Sequence, residues 1–171
     1  MDLEKKLGDR LHLSDIRHIC AGCCGVSDDS VKAELFSMIG HSDDRIGYNA
    51  LWVFTHFPLE DMKWLASKRD CLIDFLLKTN HVGKRRLILT LLEHLSVKKE
   101  DVRTDYLDYC LSKINSTEPY AIRALCLKQA YAMCRFYPEL LAELKNEVEL
   151  MQYGELSPGL LSAIRQIRKK I

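Results

Sequence analysis

The stretch Ser42–Thr79, SDDRIGYNALWVFTHFPLEDMKWLASKRDCLIDFLLKT, decides how the rest of the chain is read. Ile46, Ala50, Val53, Phe54 and Phe57 fall on one apolar face if residues 43–57 are helical. Ser42 stands where a side-chain oxygen can cap the first turn, and Pro58 stops the helix. Residues 59–66 read as a short helical turn. Arg69 to Lys78 reads as the next helix, with Cys71, Leu72, Phe75 and Leu76 inward. The stretch is therefore helix, proline-marked turn, helix.

Working outward, the same unit recurs twice. Ala50, Val53, Phe54 and Phe57 match Ile88, Leu91, Leu92 and Leu95, and then Ala130, Met133, Cys134 and Tyr137. The second helices follow, with Cys71, Leu72 and Phe75 set against Tyr106, Leu107 and Cys110, then Leu140, Leu141 and Leu144. Upstream, residues 3–11 suit a short opening helix weakened by Gly8. Ser14 is expected to cap a helix to Cys24, with Gly25 in the left-handed position after it. Ser27 is expected to cap a helix through Ile39, with Asp28 in its first turn. Downstream, Ser116 or Thr117 precedes a helix with Pro119 in its first turn, Pro138 opens another, and Ser157-Pro158 starts the last. No segment reads as a strand.

A helix pair about every 40 residues resembles HEAT and armadillo repeats, in which each pair leaves an apolar face for its neighbour to cover. Asp44-Arg45 resembles the family's acidic-basic start to a first helix, and Pro58 and Pro138 its proline near the turn. The middle copy departs, with Ser96 in place of proline and Arg86 in place of the acidic-basic start. The resemblance implies an all-α, right-handed α-α superhelix. It would have about four helix pairs (14–39, 42–79, 81–114 and 117–151) and a single C-terminal capping helix, 158–170, forming one domain over 1–171. It implies a concave surface lined by second helices and used for partners, and no one activity.

Composition narrows the function classes. The chain has 171 residues, 25 Lys+Arg against 24 Asp+Glu, and a net charge of +1. A protein that coats nucleic acid gains most of its affinity from a cation excess, which is missing here. No run is apolar and long enough to span a membrane, and residues 1–13 are charged throughout with no apolar leader core. Seven cysteines, set within helical patterns and not at loop spacings, suggest free thiols in a reducing compartment, hence a cytoplasmic protein.

Three constellations are candidate sites. Cys20, Cys23 and Cys24 share a helix face, so their thiolates are a conceivable soft-metal or redox site; that spacing is also an ordinary core stripe, and no second pair of cysteines supplies a fourth ligand. Arg45, Tyr48, Asn49, Trp52 and His56 lie opposite the apolar stripe of their helix, and Arg45, Tyr48, Trp52 and His56 make a mixture suited to a partner surface. The matched positions pull toward packing, since Asn49 aligns with Leu87 and Gln129, Trp52 with Thr90 and Ala132, and His56 with His94 and Phe136. Asp70, Asp105 and Glu139 begin three successive second helices, with Asp74, Asp108 and Glu143 one turn on. Such a strip would draw a basic partner, although a first-turn acid also complements the helix dipole.

No nucleophile elbow, HExxH, phosphate loop or dinucleotide fingerprint occurs, so no catalytic residue and no cofactor is expected. The expected function is a non-enzymatic scaffold for a protein or peptide, of basic character where the acidic residues line the surface. Two alternatives stand beside it. One is a nucleic-acid-binding or DNA glycosylase-type protein of HEAT-like form, for which Trp52, Trp64, Asp74 and Arg85 supply residue types but no motif. The other is the metal or redox site at Cys20, Cys23 and Cys24.

Overall fold

Short acceptor side chains and prolines set most of the helix starts. In the computed structural model, which describes residues 2–25, 29–151 and 155–171, Asp2 accepts the backbone N–H of Lys5 at 3.1 Å and opens α1 (Leu3–Gly8). The second helix, α2 (Leu13–Cys23), begins ahead of Ser14, with His12 in the capping place. The His12 N–H donates to Asp15 Oδ2 at 2.8 Å, so a carboxylate in the first turn closes the helix start instead of the serine. Gly25 has φ 71°, the left-handed position expected of it. The caps expected at Ser27 and Asp28 lie outside the described residues. After α3 (Ser30–Ser37) and a 3-10 turn (Met38–Gly40), Asp43 and not Ser42 caps α4 (Asp44–Phe54), taking the Arg45 N–H at 2.8 Å.

That helix ends short of the expected Phe57. Thr55 Oγ1 donates to the Trp52 carbonyl at 2.7 Å, and the N–H groups of His56 and Phe57 bond the carbonyls of Val53 and Phe54 at 2.9 and 3.1 Å. The last turn thus tightens to three-residue spacing before Pro58. Next come α5 (Met62–Ala66), α6 (Arg69–Lys78) and α7 (Val82–His94). A 3-10 turn (Lys99–Asp101) leads to α8 (Thr104–Ile114), α9 (Tyr120–Cys134), α10 (Pro138–Leu150) and α11 (Pro158–Arg168). Pro119 sits at the cap of α9, one place outside its expected position, whereas Ser157 and Pro158 open α11 as expected, with Ser157 Oγ accepting the Leu160 N–H at 3.3 Å. There is no strand among the described residues.

The helices gather into two compact units, residues 1–95 and 96–171, and the boundary falls inside the pair expected over 81–114. In the first unit α4 is central, touching α1, α2, α3, the 3-10 turn after α3, and α7, while α6 packs on α7. Phe36, Phe54, Trp64 and Phe75 form its aromatic centre; Phe54 and Trp64 stack at 6.2 Å, and Phe36 lies 5.8 Å from both Trp64 and Phe75. Asn49 crosses from α4 to the end of α1, donating to the carbonyls of Leu7 and Asp9 at 2.8 and 3.1 Å. These carbonyls are among those a helix end leaves without partners. In the second unit α9 is central and touches α8, α10 and α11. Tyr106 of α8 is wholly buried and donates its hydroxyl to Gln129 of α9 at 3.2 Å.

The shared register of the first helices holds at three of its four positions; at the fourth, past the helix ends, Phe57 and Leu95 are buried and Tyr137 is only half-buried. Ala50, Val53 and Phe54 of α4, Ile88, Leu91 and Leu92 of α7, and Ala130, Met133 and Cys134 of α9 are all fully buried. So are the flanking matches Asn49, Leu87 and Gln129, at 6%, 7% and 3% exposure, which makes that flank a packing surface. The second helices need a correction. Cys71 is exposed and Phe75 only half-buried, whereas Leu72, Ile73 and Leu76 are buried. The inward face of α6 is thus turned by one residue, and Leu72, Ile73 and Leu76 correspond to Tyr106, Leu107 and Cys110 of α8.

Candidate interaction site

α4 presents two faces of opposite character. Its inner face is the core just described, and its outer face carries Arg45, Tyr48 and Trp52, with His56 continuing the line in the tight turn that follows. Arg45 is exposed and donates Nη1 to the Gly8 carbonyl at 3.3 Å. Tyr48 is half-buried, with its ring 6.0 Å from that of His81 at the start of α7. Trp52 is half-buried, one turn further on, and His56 sets its ring edgewise to the indole at 6.2 Å with Nδ1 3.0 Å from the Trp52 carbonyl. The four residues therefore form one strip along the helix, ringed and partly open. Asn49, next to them in sequence, is taken up in the contact with α1.

The acidic residues are more dispersed. Asp70 and Asp74 are exposed on α6 in the first unit, and Asp105 and Asp108 are exposed on α8 in the second. Asp70, Asp105 and Glu139 each lie in the first turn of their helix, where the helix dipole favours a negative charge. Asp105 has a second local role. Arg103 donates Nε and Nη2 to its two oxygens at 3.1 and 2.7 Å, and the Tyr106 N–H donates at 2.8 Å. The Arg103 guanidinium, first of all, holds the Asp105 carboxyl below the usual carboxylate range.

The cysteine face of α2 is built into the core. Cys20 and Cys23 are buried and Cys24 half-buried, and Cys20 Sγ donates to the Val53 carbonyl at 3.5 Å. Burial pushes the Cys20 thiol up to about 11, with the neighbouring Cys23 adding to the effect. Burial likewise raises Cys24 to about 12, helped by Asp61, and raises Cys23. The thiolate is the form that binds metals and attacks disulfides, so at neutral pH these thiols are held in the inert form. Among the described residues, no three or more His, Cys, Asp or Glu side chains gather in a metal-binding arrangement.

Sequence reasoning missed the buried charges. Lys32 of α3 is 5% exposed and Asp61 is 9% exposed, and Lys32 Nζ lies 2.6 Å from Asp61 Oδ1 and 3.1 Å from Asp29 Oδ1. Lys84 of α7, at 6%, pairs with Asp44 of α4 at 3.2 Å. A signal was present. Lys32 precedes the buried Leu35 and Phe36 by three and four residues, as Arg69 precedes Leu72 and Ile73, and Lys84 precedes Leu87 and Ile88. Arg123 stands in the same relation to Cys126 and Leu127, and its Nε donates to the Ile114 carbonyl at 2.8 Å. A cation one turn ahead of a core pair thus lies on the core face, with its stem along apolar surface and its head on a partner.

Paired amphipathic helices, a common register in α4, α7 and α9, and two central helices wrapped by others meet a family model described as a HEAT repeat domain, which matches residues 3–171. The chain belongs to the HEAT repeat family. Comparison with curated proteins and with solved structures finds no match to this chain. The HEAT repeat match begins at α1, earlier than the residue 14 start expected from the helix pairs, in keeping with Leu3 and Leu7 being buried at 1% and 0% exposure. No helix among the described residues is long and apolar enough to cross a membrane.

The thiols of this HEAT repeat domain give a pH prediction. An unfolded cysteine ionises near 9.0, whereas folded Cys20 and Cys134 wait until about 11 and Cys24 until about 12. These raised values contribute stability that is complete below pH 9 and lost as pH rises through 11–12, because the unfolded state sheds its protons first. Urea midpoints should show no pH dependence from these thiols between pH 6 and 8, then fall above 9, less steeply in Cys20→Ala. A wild-type midpoint level up to pH 11 would contradict the burial of these thiols.

Proposed function

We propose that the chain is a non-enzymatic protein-interaction module that engages a protein or peptide partner through the strip Arg45, Tyr48, Trp52 and His56. The observation that carries this reading is the ring series of half-buried Tyr48 and Trp52 on α4 and exposed His56 in the turn after it, opposite a helix face that is fully buried. Large rings held in place by their own packing lose little entropy on contact, and Trp, Tyr and Arg dominate binding energy at protein interfaces. Membership of a stacked-helix repeat family supports it, because such arrays offer extended faces to partners. The exposed Asp70 and Asp74 on α6, and separately Asp105 and Asp108 on α8, belong to the proposal as secondary acidic patches for basic segments. A cytoplasmic location fits the seven free cysteines of the sequence.

Selection from a displayed peptide library against the whole chain tests the reading. Trp52→Ala/His56→Ala is expected to lose selected peptides by about 30-fold or more while keeping its helical circular dichroism. Charge reversal at Asp74 and Asp108 should weaken those selected peptides that carry basic residues. Selection of the same peptides at the same strength by the Trp52/His56 variant would end the strip's role.

A further inference from the structure

A cleft of about 790 Å³ in the first unit opens between the 3-10 turn after α3, α4, and the α6–α7 connection. Its size is that of a pocket for a small ligand or a few side chains. Its walls divide by chemistry. Ile39 and Phe75 make an apolar side; Lys78, His81 and Lys84 supply cationic or donor groups; and Asp44 is the one carboxylate in the lining. Asp44 already pairs with Lys84 at 3.2 Å. The His81 Nδ1 accepts the Lys84 N–H at 3.1 Å, so the ring proton belongs on Nε2, which is left as a donor.

Two glycines shape the place. A Cβ on Gly40 would stand 2.9 Å from the Phe75 ring, and one on Gly47 would stand 2.9 Å from Lys84 Nζ. Close approach at these points sets the ring and the ammonium where they line the cleft. Lys84 is 6% exposed, so its charge is fixed in position, while Lys78 is exposed at the mouth.

We propose that this cleft binds an acidic peptide segment, taking a carboxylate against Lys78, His81 and Lys84 and a neighbouring apolar side chain against Phe75 and Ile39. The proposal rests on the reading of the chain as a protein-interaction module and names the partner's chemistry. Two features select the occupant. Lys78, His81 and Lys84 line one cleft instead of tracking along a surface, which suits a side-chain carboxylate better than a phosphate backbone. The apolar wall needs something beside the anion to cover it, which inorganic phosphate lacks.

Fluorescence anisotropy of the whole chain with a short labelled peptide of alternating glutamate and leucine tests it, with amide NMR shifts to place the contact. Binding should fall with added salt, move the Gly40, Thr79 and Asn80 amides, and weaken roughly tenfold or more in Lys78→Glu, whose exposed site leaves folding intact. Trp52→Ala/His56→Ala should keep it. Equal binding of the glutamine counterpart, unchanged affinity in Lys78→Glu, or displacement by oligothymidylate or inorganic phosphate at the peptide's own concentration would each overturn the assignment. Partner capture through Trp52 with no acidic-peptide binding would overturn the cleft alone, and the module reading would stand.

Discussion

Asp61→Ala should lower the stability of the fold by about 3–5 kcal/mol, read as a fall in the urea midpoint at unchanged slope. The carboxylate is 9% exposed and lies 2.6 Å from Lys32 Nζ, itself 5% exposed. Removing it leaves an ammonium in the core with, among the described residues, only Asp29, 3.1 Å away and 53% exposed, to answer it. That remaining partner places the loss toward the lower end of the range. In the native protein hydrogen bonding to Asp61, first of all, and to Asp29 raises the Lys32 pKa against the pull of burial; in Asp61→Ala the first of these is gone and burial is opposed by Asp29 alone among the described residues, so the Lys32 pKa should fall with the loss of stability. Lys32→Met/Asp61→Leu should recover most of the loss, because the cost lies in stranding one charge and not in lacking the pair. The carboxylate also helps raise Cys24, so Asp61→Asn should bring that thiol's titration down from about 12. A loss below about 1 kcal/mol in Asp61→Ala would mean that water reaches this site.

Gly47→Val is the second large effect, expected at about 3 kcal/mol of destabilisation. A Cβ there would sit 2.7 Å from the Ile39 carbonyl oxygen and 3.1 Å from Lys84 Cε. The lysine tip can move, but only by leaving Asp44, and a backbone carbonyl in the turn before α4 has little freedom to yield. Gly47 is therefore a contact position inside a helix, where glycine's ordinary helix penalty of about 1 kcal/mol is outweighed. Gly22 is the control. It also lies within a helix, but a Cβ meets nothing within 4 Å, so Gly22→Ala should stabilise by about 0.5–1 kcal/mol. Thermal or urea unfolding of the two variants should move in opposite directions.

Much of the fold was legible because the informative residues are spaced regularly. In α4 and α7 the apolar positions are few enough for their period to fix both the helix and its phase, whereas in α9, polar only at Arg123, Lys128 and Gln129, the match to α4 and α7 supplied the phase; prolines and glycines mark the ends. α6 shows where this fails. In Cys71-Leu-Ile-Asp-Phe-Leu-Leu77 nearly every position is apolar, so the period gives a helix but not its rotation, and packing on α7 settled it with Ile73 in and Cys71 out. Helix starts shifted for a local reason. Asp43 and Asp15 both accept backbone N–H groups, and either was as able as the serine beside it. The candidate strip was half legible. Its rings were visible in α4, but the neighbour that Tyr48 meets, His81, comes from a helix 33 residues later and follows only from the stacking of α7 on α4. The Lys32–Asp61 pair was hidden because charged residues are ordinarily solvated, and only the position of Lys32 within a core register marks it.

The bond from Asn49 to the end of α1 bears on where this chain can be cut. A helix of six residues has no stability of its own, and α1 exists because Leu3 and Leu7 are pressed into the core and its last carbonyls meet a side chain 42 and 40 residues away. A fragment trimmed to the first expected helix pair, starting at Ser14, would keep every expected pair yet lose the helix that covers α4 and the two carbonyls that Asn49 meets. The smallest piece that folds as the whole does must therefore be chosen by what covers α4, not by counting pairs.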